Sequence, residues 1–168
     1  VDDVLNSPVI SYPVRFLDLC PISDGACAVI FASEEIAKKS EKVAWVKGLS
    51  YAGDEHNLGD KDLVNWESAI KPAKETYKMA GIEPKDVDVA EVHDCFTIAE
   101  IMAYENLGFC NPGEGGKLIQ EGQTYIDGDF PTNIDGGLLG KGHPIGATGG
   151  SQVRTIVLQL RGEAGKLQ

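Results

Sequence analysis

Apolar positions along this chain fall into short runs bounded by turn residues and longer stretches with helical spacing. Ala26-Cys-Ala-Val-Ile-Phe31 is wholly apolar and follows the turn set Ser23-Asp-Gly25, the pattern of a strand covered on both faces. Before it, the mixed run Val14–Cys20 is closed by Pro21. Ser33 followed by Glu34 and Glu35 predicts an N-cap and acidic first turn, opening a short helix to about Ser40. Val43–Tyr51 reads as the next strand, and the polar loop after it carries His56 as an exposed residue. Leu63, Val64, Ala69, Ile70, Ala73, Tyr77 and Ala80 form a stripe that predicts a helix from Leu63 to Met79, closed by Gly81, with Pro72 as a kink or first turn. Val87–Val92 is a strand, and Phe96–Leu107 a helix ended by Gly108. Residues 110–131, with five glycines and two prolines, form a long excursion without clear periodicity; excursions of that length are often functional. The last helix is expected from about Ala147 to Arg161.

One stretch breaks both rhythms. Between Asn133 and Gly150, seven of eighteen residues are glycine, too many for an ordinary helix or strand. The apolar run Val153–Leu160 follows at once. The expected order is therefore strand, glycine-rich turn, helix, with His143 at the turn and backbone amides free at a helix start to receive an anion. Strand and helix alternate throughout, so the class is α/β, with helices covering a mainly parallel or mixed sheet. A strand normally follows such a final helix, and none does.

With 168 residues the chain can build one domain with a core. A net charge of −11 excludes a nucleic-acid partner, which requires a basic stripe. Phosphorylated cofactors remain open, because a few local cations suffice; Arg15, Lys141 and Arg154 are the candidates. No apolar run approaches the roughly 20 residues that span a bilayer, and Val1-Asp-Asp-Val4 does not resemble a secretory signal. The chain begins without methionine, as a fragment or processed chain would. The four cysteines, Cys20, Cys27, Cys95 and Cys110, form no CxxC pair. They read as thiols of a reducing, cytoplasmic compartment with no disulfide framework and no metal site.

Three residues invite a chemical reading. His143 is flanked by Gly142 and Pro144 at the turn; it either satisfies local backbone or polarises a developing oxyanion and activates a thiol. Cys95 ends the strand within Val92-His-Asp-Cys-Phe96 and precedes a helix, where open α/β sheets place ligands and where thiol acidity is tuned; the alternative is an inert core thiol. Asp94 either orients a histidine or caps the next helix. By the same test Cys27 belongs to the core and Cys110 to a loop. No GxxxxGK[ST] occurs, and Gly137–Gly142 has the wrong spacing for a dinucleotide fingerprint.

His93-Asp-Cys-Phe96, followed by Asn133-Ile-Asp-Gly-Gly137 and Gly142-His-Pro144, resembles the C-terminal half of thiolases. The type is similar to the sterol-carrier-protein (lipid-transfer) thiolases and the archaeal acetyl-CoA acetyltransferases. Asp24-Gly-Ala-Cys-Ala28 resembles the family segment leading into the last strand of the N-terminal half. The resemblance implies a thiolase-like layered fold, incomplete here, with residues 1–32 ending the N-terminal half and 33–168 forming a C-terminal domain without its final strands. It implies Claisen condensation or thiolytic cleavage of 3-ketoacyl-CoA, with coenzyme A thioesters as substrates and no separate cofactor. Cys95 then matches the acid/base, His143 the group that activates the nucleophile and binds the thioester oxygen, and His93 the position that helps hold the oxyanion-hole water. Gly137, Gly142, Cys20 and Ser23 would line the path of the coenzyme. Nothing in the chain matches the family's nucleophilic cysteine, so the chain alone is expected to be silent and to pair with the missing half, as a homodimer or hetero-oligomer. A non-catalytic scaffold that binds CoA thioesters and a retro-aldolase on the same fold are the alternatives; Cys95 with Gly142-His143-Pro144 favours the thiolase.

Overall fold

A computed structural model describes residues 1–54 and 57–168. His56, expected in an exposed loop, lies outside the described residues. The chain forms two compact units: Val1–Ala44 with Ala90–Glu100 and Thr132–Gln168, and Trp45–Val89 with Ile101–Pro131.

The first unit opens with α1 (Asp2–Asn6) and a hairpin of β1 (Val9–Ser11) and β2 (Val14–Arg15), antiparallel with Val9 opposite Arg15. Arg15, a candidate cation, is spent on structure: its Nη1 donates to the Ser7 carbonyl at 2.8 Å. The predicted helix after Ser33 is the single turn α2 (Glu34–Ala37). Later come α6 (Gly137–Lys141) and α7 (Thr148–Arg161). α7 ends at Gly162, whose φ of 66° is the left-handed cap that glycine takes without a Cβ penalty. The buried residues of this unit include Ala90, Val92, Asp94, Ala99, Leu138, Thr148 and Thr155, so much of its centre is polar and must be hydrogen-bonded.

The second unit holds α3 (Glu67–Ala80) and α5 (Gly115–Gln120), and the unit boundary falls within α4 (Thr97–Asn106). α3 begins four residues later than its stripe predicts. The Asp62 carboxylate accepts the amides of Val64 and Asn65 at 2.9 and 3.1 Å, a local turn that competes with the first helical turn. Asn106 completes the start of α3: its Oδ1 accepts the Trp66 amide at 2.9 Å while its Nδ2 donates to the carbonyls of Val64 and Met102. Pro72 sits inside α3, and the helix runs on to the left-handed cap at Gly81. The 110–131 excursion contains α5, whose first amide, Gly115, donates to Glu105 Oε1 at 3.0 Å.

The α/β class holds, but most predicted strands do not form ladders. Ala26–Phe31 and Val43–Tyr51 make no ladder among the described residues, and within Val87–Val92 only Ala90 bridges, in parallel, to Thr132. Ala26–Phe31 is not covered on both faces: Ile30 is 93 % exposed and Phe31 74 %. An apolar run records what a segment must bury, whereas a strand exists only through its pairing partner.

Candidate active site

Leu19–Ile22 is the short piece around which the site assembles. Leu19 pairs antiparallel with Phe96, Cys20 N–H donates to the Cys95 carbonyl at 3.0 Å, and Ile22 pairs in parallel with His143, whose N–H donates to the Pro21 carbonyl at 3.0 Å. Three residues of extended chain span roughly 10 Å. The thiol of the His93-Asp-Cys95 stretch and the imidazole of the glycine turn are therefore both anchored to one strand-length of backbone.

The two histidines touch directly. The rings of His93 and His143 pack edge to face, with centroids 4.9 Å apart and planes at 80°. His143 Nδ1 lies 2.7 Å from Thr148 Oγ1, and that hydroxyl donates to the Pro144 carbonyl. With its proton committed to the carbonyl, the hydroxyl oxygen receives Nδ1–H, leaving Nε2 as the lone-pair nitrogen. Burial, and secondarily the neighbouring His143, holds the His93 pKa below the ordinary imidazole value, against a smaller opposing pull from Asp94. His93 is thus a neutral imidazole at physiological pH. Burial, with Cys20 second, raises the Cys95 thiol above its usual range; the resting group carries its proton.

Asp94 explains how these segments are held together. It is 2 % exposed, and its carboxylate accepts the amides of Leu138 at 2.8 Å and Leu139 at 3.3 Å. The helix it serves is α6, built inside the glycine stretch, where an open turn was expected. Gly136 (φ 101°), Gly137 (φ 57°) and Gly142 (φ 90°) supply the left-handed backbone on either side. A Cβ at Gly137 would collide with the Asp94 carboxylate, and one at Gly142 would overlap Ser23 Oγ. Gly137, Gly142 and Ser23 are thus brought into contact with the site segments by close packing. Asn133, at φ 49°, accepts the Val92 amide on its Oδ1 at 2.9 Å and donates its own N–H to the Ala90 carbonyl, fixing the segment that carries His93. Gln152 Nε2 donates to the Val92 carbonyl at 2.7 Å.

A cluster of carboxylates behind the turn gave no sequence signal beyond an acid in an apolar run and a lysine in the glycine stretch. Asp135 Oδ2 receives Lys141 Nζ and the Thr155 hydroxyl, each at 2.5 Å. The Glu91 side chain is 2 % exposed, has Lys141 Nζ no nearer than 3.9 Å, and finds no hydrogen-bond donor for either oxygen among the described residues. Burial, then Asp135, pushes its pKa up to about 7, Lys141 pulls it down, and Asp94 and Glu100 add smaller increments upward. Lys141, a candidate cation, is held by these acids. A cavity of about 130 Å³ lies on this side of the turn, lined by Cys27, Leu138, Lys141, Pro144 and Thr148 among others, and includes none of Cys95, His93 and His143. Cys27, expected in the core, is only half-buried, beside this cavity, because the apolar segment around it forms no strand and is not covered on both faces. Among the described residues no three His, Cys, Asp or Glu side chains converge as a metal site would require, and no helix is long and apolar enough to cross a membrane.

Residues 51–168 match the family model described as "Thiolase C-terminal domain-like". The chain is 45 % identical over 170 residues to "Acetyl-CoA acetyltransferase" of Methanothermobacter thermautotrophicus, covering all of this chain and 44 % of that protein. It is 39 % identical over 175 residues to "Sterol carrier protein 2" of Oryctolagus cuniculus, covering all of this chain and 32 % of that one. A solved structure, "Ltp2-ChsH2(DUF35) aldolase", superposes with a TM-score of 0.85 at 26 % identity over 97 % of this chain and 44 % of its own. The chain spans less than half the length of these relatives. With the family model covering well over half of it, and the glycine turn and the His93–Cys95 stretch inside the matched residues, this chain belongs to the thiolase C-terminal domain family.

Proposed function

We propose that the chain is the C-terminal part of a thiolase, transferring acyl groups between coenzyme A thioesters by Claisen condensation or thiolytic cleavage of 3-ketoacyl-CoA. The observation that carries the reading is the pairing of His93 and His143 on segments that Leu19–Ile22 ties together, one of them carrying Cys95. Forming a carbon–carbon bond next to a thioester requires a group to move the α-proton and fixed donors for the oxygen that gains charge. Cys95, holding its proton at rest, serves as the acid/base; the neutral His93 imidazole offers an N–H donor without adding net charge, and His143, its Nδ1–H committed to Thr148, presents Nε2 to take a proton from the acyl-accepting thiol. One such donor is typically worth about 3 kcal/mol. The acyl-accepting cysteine belongs to the part of the relatives that this chain does not span, so the chain works joined to that half or within an oligomer that supplies it, in the cytoplasm. Gly137, Gly142, Cys20 and Ser23 would line the path of the coenzyme.

Retro-aldol cleavage is a second reading, favoured by the solved neighbour named an aldolase; the thiol at Cys95 and the intact Gly142-His143-Pro144 favour acyl transfer. The test is co-expression with the N-terminal half of a thiolase, following acetyl-CoA formation from acetoacetyl-CoA and coenzyme A. Cys95→Ser should lower turnover by about 10²–10⁴-fold, the usual worth of a positioned acid/base, with a smaller change in KM. Full turnover in that variant would remove Cys95 from the chemistry. Release of an aldehyde or ketone from a β-hydroxyacyl-CoA, with no thiolysis, would establish the aldolase instead.

A further inference from the structure

Cys20 and Cys95 stand opposite each other. The antiparallel bridge of Leu19 with Phe96 fixes the register, and one step along it places Cys20 across from Cys95, with the Cys20 N–H donating to the Cys95 carbonyl at 3.0 Å. Directly opposed residues of an antiparallel pair send their side chains to the same face, with Cα atoms about 5.5 Å apart where they share backbone hydrogen bonds. A disulfide requires Cα atoms within about 4.4–6.8 Å of each other. Both thiols are free and neither is fully buried. Independently of the register, Cys20 is among the groups that make ionisation of Cys95 harder, which places its sulfur near the Cys95 sulfur.

We propose that Cys20 and Cys95 form a reversible disulfide, a modification site that withdraws the Cys95 thiol from proton transfer. The loss of function rests on the acid/base reading of Cys95; the bond itself does not. With hydrogen peroxide as oxidant the step balances. A thiolate attacks one peroxide oxygen, the O–O bond breaks, and a sulfenic acid forms as one water leaves after protonation. The second thiol then attacks that sulfur, the S–O bond breaks, the S–S bond forms, and a second water leaves. Two thiols lose two protons and two electrons, and one peroxide becomes two waters. Because thiolate is the attacking species and burial keeps Cys95 protonated, bond formation should accelerate as pH rises.

The experiment uses the full chain carrying Cys27→Ser and Cys110→Ser, so that only Cys20 and Cys95 remain. Stoichiometric peroxide should lower the mass of the chain by two hydrogens. It should also reduce the thiols titrated in denaturant from two to none, and a dithiol reductant should restore both. Unsubstituted chain, digested without reduction, should yield a fragment pair joined through Cys20 and Cys95, which keeps the test valid if the double variant folds poorly. Two thiols surviving, oxygen adducts on Cys95, or bonds to Cys27, Cys110 or a second chain would overturn the proposal. If the bond forms and acyl transfer with the N-terminal half is unchanged, the silencing fails together with the acid/base role, whereas absence of the bond leaves that role standing.

Discussion

Glu91 shows how much one side chain can set. A carboxylate 2 % exposed and without a hydrogen-bond donor for either oxygen among the described residues is poorly solvated when charged. Its folded pKa of about 7 exceeds the ordinary value of 4.5, so the folded chain binds this proton more tightly than the unfolded chain. Stability from this group is complete below the ordinary value and is lost as pH climbs toward 7; a shift of that size corresponds to about 3 kcal/mol. Glu91→Gln keeps the shape and removes the titration. The variant should hold its unfolding free energy between pH 4.5 and about 7, where the parent loses it, and the two curves should run parallel above and below that window. Denaturant titrations at a series of pH values measure this. Curves parallel throughout would show that the proton does not reside there. Glu91 lies on one stretch with His93, Asp94 and Cys95, yet it alone of the four carried no readable signal. Turn histidines and strand-end thiols have a chemistry that spacing can suggest. The work of a buried carboxylate depends on neighbours elsewhere in the chain.

Among elements, those with their own stop signals were the readable ones. α3, α4 and α7 carry helical stripes, and Gly81, Gly108 and Gly162 take the positive φ that closes them. α6 was hidden because the carboxylate that satisfies its first amides lies 44 residues away. The strands failed for a related reason: their pairing is non-local, and an apolar run does not name its partner. Gly142 offers an element-scale test. Its φ of 90° disfavours any L-residue, and a Cβ would overlap Ser23 Oγ. The left-handed backbone alone costs roughly 1–2 kcal/mol. Gly142→Ala should therefore destabilise by more than that, and adding Ser23→Gly should recover only the overlap. If the double variant is no more stable than Gly142→Ala alone in thermal melts, Ser23 is not the obstacle.

For the whole chain, the exposed apolar residues decide behaviour. Ile22, Ile30, Phe31 and Ile145, all in the first unit, are 97, 93, 74 and 82 % exposed. Large exposed apolar surface marks an interaction face or an association liability, and this chain spans less than half the length of its relatives. In sedimentation velocity, association should grow with concentration, and Ile30→Lys with Phe31→Glu should reduce it. A single species of monomer mass across the range would sink that expectation. The α/β class and the family-specific residues were readable from sequence because both depend on local pattern, whereas what covers Ile30 and Phe31 is a non-local property.

The carboxylate of Asp94, sitting between His93 and Cys95 and holding the amides that lead into the His143 turn, acts as a rivet between two pieces of chain far apart in sequence. Whatever connects them can lengthen or shorten at little thermodynamic expense, since doubling a flexible loop costs only about 0.6 kcal/mol. Evolution is thereby free to rewrite the intervening residues while the pair of imidazoles stays in register.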